Sequence, residues 1–293
     1  MKYTINQFRK QYPSDDVCLD MLFKLRYEKI PCCRCCSQAT TFKRIVGRRA
    51  YQCSDKDCQY QLYPTAGTVF DHTRTSLVDW FYVIYLMAST RNGVSAKEIE
   101  RQLGVTYKTA WRMGHQIRLL MANGGLGNML TGTVEVDESY IGGEPKNRHA
   151  KKRDGKLGRG ISKQPIVTIV QRGGAVRTFV VDNVGSGNMY RLITENVEKG
   201  SRLITDGFTS YKWVGMQYDH VPVKHNNDKI TVGDKHTNTV EGFFSHLKRT
   251  ISGTHIHVSA KHLQKYADEC SFRYSHKGQG QLMFHTILKQ AVL

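Results

Sequence analysis

The 293-residue sequence has no run of about 18 consecutive apolar residues, so no transmembrane helix is expected. Its start, MKYTINQFRK, lacks the apolar core and small-residue cleavage site of a secretory signal, so none is expected there. Acidic residues are scarce: 25 Asp and Glu stand against 43 Lys and Arg, a formal charge of +18. That deficit, with a pI near 9.6, points to a polyanionic partner, of which nucleic acid is the commonest. A membrane surface would call for a basic amphipathic helix with exposed apolar anchors, and the sequence has none. Internal repeats are absent. Cysteine is rare outside one stretch, since six of the eight lie between positions 32 and 58. Clustering without a secretory signal argues against a disulfide framework and for metal.

What is present suits a multidomain α+β chain. At 40% hydrophobic residues it can bury a sizeable core, and its length accommodates two or three domains. Residues 1–63 read as a helical prelude, with a capped helix in SDDVCLDMLFKLRY, followed by the cysteine-rich segment. Residues 64–125 turn helical: SLVDWFYVIYLMAST reads as a buried helix capped at Ser76, and two further segments break at Gly104. From 126 to 293, three strands around a Gly173-Gly174 hairpin precede strands alternating with helices. That order is expected of an α/β domain with a mixed sheet.

The cysteines form two short-spaced pairs. Cys53 and Cys58 make one, and CCRCC offers Cys32 with Cys35 or Cys33 with Cys36 for the other. Two such knuckles complete a tetrahedron for structural Zn²⁺, with no open position for chemistry. The alternative is a set of free buried thiols.

In the segment from Val94 to Met121, Ser95 caps a first helix with Ile99 and Leu103 on its core face, and Gly104 marks the turn. On the second helix Ala110, Gly114 and Ile117 point inward, leaving Tyr107, Lys108 and Arg112 outward near its N-terminal half. A helix-turn-helix presents its DNA-contacting residues there. A helical hairpin with a solvated basic face is the plainer reading.

In TVEVDESY, strand alternation puts Val134 and Val136 on one face and Glu135 and Asp137 on the other, with Glu138 on the valine side. Asp206 ends a short buried strand, RLITD. Glu241 lies on a later helix that also carries Lys248 seven residues on, on the same face. Two acids at strand ends plus one on a helix suit a ribonuclease-H-like cluster for Mg²⁺ or Mn²⁺.

VEVDESYIGG, ITDGFTSY and HTNTVEGFFSHLKRTISGTHIHVSAKHLQKY resemble the three catalytic blocks of Merlin-related, ISXO-like bacterial insertion-sequence transposases, which are DDE enzymes with an N-terminal zinc ribbon. CCRCCS and YQCSDKDCQYQLYPTAGTVF resemble that family's ribbon, so the likeness covers nearly the whole chain. The family's Cys-Pro-x-Cys-Gly-Ser knuckle, laid over CCRCCS, favours Cys32 and Cys35, with Cys53 and Cys58, as the zinc ligands. The resemblance further implies Asp137, Asp206 and Glu241 as the catalytic metal ligands and Lys248 as the downstream basic residue. Some relatives carry Asn as the third member, and Asn238 lies one turn before Glu241.

The function so implied is cleavage at element ends and joining of the 3′-OH to target DNA. The implied partners are terminal inverted repeats and target duplex, bound by a homodimer or larger assembly in the nucleoid of a bacterial cytoplasm. A structure-selective nuclease on the same fold and a non-catalytic transposase-derived DNA-binding protein are the rival readings. KNRHAKKRDGKLGRGISK holds eight Lys and Arg against one Asp just past Asp137. Within it Lys151, Lys152 and Arg153 are expected to track phosphate. The histidines after 235 lack metal spacing and are expected on a DNA-facing surface.

Overall fold

The computed structural model describes residues 3–28, 30, 32–38, 41–124, 127–143, 163–223 and 234–293. The chain forms two compact units, Met1–Thr90 with Ala96–Leu120 and Gly278–Leu293, and Arg91–Ser95 with Met121–Lys277. Among the described residues no helix is long and apolar enough to cross a membrane.

The first unit holds helices α1 (Ile5–Gln11) and α2 (Asp15–Tyr27), each started by a hydroxyl cap, Thr4 or Ser14. A small antiparallel sheet follows, β1 (Phe42–Arg44), β2 (Tyr51–Cys53) and β3 (Gln61–Leu62), in that order. Next come α3 (Leu77–Ser89), capped by Ser76, then α4 (Ala96–Leu103) and α5 (Tyr107–Gly124), of which the residues from Met121 group with the second unit. Gly104, at φ +67, makes the turn between the last two, a conformation that only glycine adopts without strain. The chain's last helix, α9 (Gly280–Gln290), also belongs here. Its Phe284 sits 5.5 Å from the rings of Tyr3 and Tyr12 and 6.1 Å from Phe8. The sequence places this helix in a segment 126–293, whereas by contact it groups with the first unit. Met283, Phe284, Ile287 and Leu288 form an apolar face buried in the first unit's aromatic core.

The second unit is a five-stranded mixed sheet in the order β6-β5-β4-β7-β8. β4 (Thr133–Ile141), β5 (Gln164–Gln171) and β6 (Val176–Val180) form the antiparallel meander, with Gly173 at φ +71 in its second turn. β7 (Arg202–Asp206) and β8 (Asp219–Val223) run parallel to β4. This is the strand arrangement of a ribonuclease-H-like domain. One face packs Val134, Val136, Ile169 and Leu203 against α6 (Ser186–Asn196). The other packs Ile141, Ile166 and Val170 against α7 (Asn238–Arg249) and α8 (Ala260–Ser275). Alternate side chains of β4 therefore serve two cores, and each buried valine contributes about 1.5–3 kcal/mol. A π-helical turn, Thr250–His255, ends α7.

Candidate functional site

Two clusters of metal-ligating side chains emerge among the described residues: Cys33, Cys36, Cys53 and Cys58, and Asp137, Glu138 and Asp206. In each, the ligand atoms lie within 4.8 Å of one another.

The thiol cluster corrects the expected register. Cys33 Sγ lies 3.8 Å from Cys58 Sγ, and Cys36 Sγ lies 3.7 Å from Cys53 Sγ. A tetrahedron with Zn–S bonds of about 2.3 Å has edges of about 3.8 Å, so these four fit Zn²⁺. Cys32 and Cys35 stand outside the group, and Cys35 is exposed. Within the knuckle the Cys35 amide donates to Cys33 Sγ at 3.4 Å, as suits a sulfur that ligates a metal. Cys53 ends β2, and the second knuckle closes with the Cys58 amide bonded to the Asp55 carbonyl.

The carboxylate cluster lies where β7 ends. The last β4–β7 pair is Val136 with Thr205, so the next residues on each strand are Asp137 and Asp206. β4 continues beyond this point without a β7 partner, and the gap admits both side chains. Asp137 accepts from the Glu138 amide at 2.8 Å, and Asp206 accepts from the Phe208 amide at 3.1 Å. Glu138 springs from the opposite face and accepts the Tyr211 hydroxyl proton at 2.9 Å. Burial pushes the Asp137 carboxyl up to about 7, aided by the negative charges of Glu138, Asp206 and Glu241, while the Glu138 amide opposes the rise. Burial, with Glu138, Asp137 and Asp206, pushes the Tyr211 phenol well above its ordinary value. Half-buried carboxylates this crowded are electrostatically incomplete without a cation, and oxygen donors of this kind suit Mg²⁺ or Mn²⁺.

Of the expected acids, the structure brings Asp137 and Asp206 together. Glu241 is in the first turn of α7, close enough to raise the Asp137 pKa but outside the three-carboxylate group, and its Oε1 accepts from Thr237 Oγ1 at 2.9 Å. Glu138 joins the group instead. Strand alternation hid it, because alternation separates Cβ directions and not the reach of a Glu side chain at an open strand edge. Lys248 lines a cavity of about 440 Å³ with Tyr140, Lys163 and His257. Tyr107, Lys108 and Arg112 are exposed on α5, as expected, while Ala110, Met113 and Ile117 are buried. Trp111 is also exposed on that helix, its ring tilted against that of His115 with centroids 3.9 Å apart. Lys151, Lys152 and Arg153 lie outside the described residues.

A four-thiol knuckle cluster followed by a ribonuclease-H-like sheet with acids gathered where β7 ends beside β4 defines a zinc-ribbon DDE-type protein. The chain belongs to the ISXO2-like transposase domain family, which it matches over residues 129–275. It also matches the transposase zinc-ribbon domain over residues 13–61. It is 28% identical to an uncharacterized protein in transposable element ISH50 of Halobacterium salinarum, over 97% of this chain and 99% of that one. Among solved structures it is similar, at 10% identity and a TM-score of 0.29, to a simian T-cell lymphotropic virus intasome in complex with PP2A regulatory subunit B56 gamma. That likeness covers 64% of each chain and is too slight to bear on the fold.

Proposed function

We propose that this transposase cleaves DNA at the ends of its element and joins the freed 3′-OH to target DNA. The observation that carries this reading is the carboxylate cluster where β7 ends beside the middle of β4. Asp137 and Asp206 would hold Mg²⁺ or Mn²⁺, with Glu241 as third ligand and Glu138 beside them. The bound cation supplies Lewis acidity at the scissile phosphate and at the attacking oxygen. Asp137 contributes a carboxyl that would shed its proton as the cation is taken up, since a positive charge there offsets the burial and the neighbouring negative charges that raised its pKa. Lys248, two turns beyond Glu241, neutralises DNA phosphate. The zinc ribbon and the outward face of α5, through Tyr107, Lys108 and Arg112, hold terminal inverted repeats. Lys151, Lys152 and Arg153 track the backbone of the duplex. Two ends must be joined, so the protein acts as a homodimer or larger assembly on DNA, in the cytoplasm where its substrate lies.

The test is strand transfer with Mg²⁺ and a pre-cut element end. Wild type is expected to give joined product, and Asp137→Asn or Asp206→Asn to lose about a thousandfold or more, the equivalent of several kcal/mol of charge stabilisation. Joined product that survives in either variant sinks the assignment. Cleavage without joining by wild type would instead mark a nuclease.

A further inference from the structure

Glu135 is fully buried, a costly place for a carboxylate unless its oxygens are met by donors. They are. Oε2 accepts from the amides of Thr239 and Val240, both at 2.9 Å. Oε1 accepts from the Thr239 hydroxyl at 2.8 Å and from Arg172 Nε at 2.6 Å. Thr239 and Val240 are the second and third residues of α7, and their amides have no partner inside the helix. A helix ordinarily satisfies them with its own N-cap side chain. Here the N-cap is Thr237, which makes no capping bond and donates to Glu241 instead. The cap has been taken over by a residue from β4.

Arg172 extends the same arrangement to the segment entering the helix. It bonds the Asp234 carboxylate, and its Nη1 reaches the Asp234 carbonyl at 3.0 Å. Nη2 donates to the His236 carbonyl at 2.8 Å and contacts His236 Nδ1 at 3.0 Å. A guanidinium only donates, so that ring nitrogen is the acceptor.

We propose that Glu135, braced by Arg172, is a positioning residue for the catalytic cation site. It fixes the height of α7 against β4, and so sets Glu241 relative to Asp137, two residues along on the same face of the strand. The inference rests on the reading of Asp137, Asp206 and Glu241 as ligands of a divalent cation. A carboxylate is required because all four groups hydrogen-bonded to it are donors. The amide of Gln would turn an NH₂ against one of them. Residues that orient metal ligands typically change affinity by about 10–100-fold when replaced.

Mn²⁺ binding to the full-length protein, followed by electron paramagnetic resonance, tests this alongside the Mn²⁺ dependence of strand transfer. Glu135→Gln is expected to weaken Mn²⁺ binding about tenfold or more. Half-maximal transfer should move to correspondingly higher Mn²⁺, with much of the rate recovered at saturation. Arg172→Lys keeps the charge but loses the fork, and a smaller shift in the same direction is expected. A purely structural role would lower the melting temperature and leave the Mn²⁺ affinity of the folded fraction unchanged. Wild-type affinity in folded Glu135→Gln overturns the proposal. Where Glu135→Gln does not fold, wild-type affinity in Arg172→Lys overturns it. Asp137→Asn separates the two levels: if it binds Mn²⁺ as tightly as wild type, the cation-site reading itself fails.

Discussion

The thiol cluster and the carboxylate cluster are both sets of metal-ligating side chains, assembled in opposite ways. The four cysteines come from 26 consecutive positions, Cys33 to Cys58, and two knuckles and a β-hairpin suffice to gather them. The acids come from positions 137, 138 and 206, with Glu241 nearby, and only the completed sheet brings them together. The first set is closed, since four thiolates fill a tetrahedron. The second leaves its carboxylates half-buried at an open strand edge, where a substrate can reach them. A local, closed site has the geometry for stabilising a fold. A non-local, open one relies on a fold stabilised elsewhere, in this unit by the two cores on either face of the sheet.

The largest effect that separates them is loss of zinc. Structural Zn²⁺ in small finger domains is worth about 10–16 kcal/mol, more than so short a segment's core can replace. Cys36→Ser, or a strong chelator, is expected to unfold residues 32–62 while leaving the second unit folded. Cys35→Ser is expected to retain zinc, because Cys35 lies outside the four-sulfur group. Metal analysis combined with amide exchange checks both. Zinc lost in Cys35→Ser but kept in Cys36→Ser would restore the register that the family pattern suggested.

This contrast also explains what could be read from sequence. Cysteine spacing announced a tetrahedral site, yet CCRCC presents two registers with identical spacing. Only the folded positions of the four sulfurs decide between them. Strand and helix periodicity located β4, β7 and α7; Asp206 ends β7 and Glu241 lies in the first turn of α7, whereas Asp137 proves to sit in the middle of β4, which runs on to Ile141. The roles of Glu135 and Glu138 were not legible. One depends on a helix 104 positions away in the chain, and the other on a gap left where a neighbouring strand stops. The destination of α9 was equally hidden, since an apolar helix face does not state which core it joins.

A smaller effect distinguishes the open cluster by pH. With no cation bound, the folded state holds the Asp137 proton up to about pH 7, whereas the unfolded chain releases it in the ordinary carboxylate range. The folded state therefore binds the extra proton between those values. The stability due to this group is complete below about pH 4 and lost as pH rises through about 7. At about 1.4 kcal/mol per unit, reduced by partial exposure, the loss is a few kcal/mol at most. Urea unfolding of the cation-free protein between pH 4 and 8 should show the decline. Asp137→Asn should flatten it, and saturating Mn²⁺ should reverse it. A decline unchanged in Asp137→Asn would place its origin elsewhere.

The smallest expected effect concerns Glu138, which sits among the carboxylates but springs from the face opposite α7. Its Oε2 is held by the hydroxyl of Tyr211, in the 3-10 turn Thr209–Tyr211 that follows Asp206. That bond ties the two strand ends together behind the acids. A hydrogen bond to a charged group contributes about 1.5–3 kcal/mol, and Tyr211→Phe removes it while keeping the buried ring. The melting temperature should fall by roughly 3–12 °C, at about 2–4 °C per kcal/mol for a unit of this size. Mn²⁺ affinity should stay within about twofold of wild type, well short of the loss that accompanies a displaced ligand. The reason is geometric: Asp137 and Asp206 take their positions from paired strands, and Glu241 takes its position from α7, so none depends on the phenol. A tenfold loss of affinity in a stably folded Tyr211→Phe would mean that Glu138 itself ligates the cation. Glu138→Gln would then cost as much as Glu241→Gln, and the open cluster would be as dependent on each of its members as the closed one.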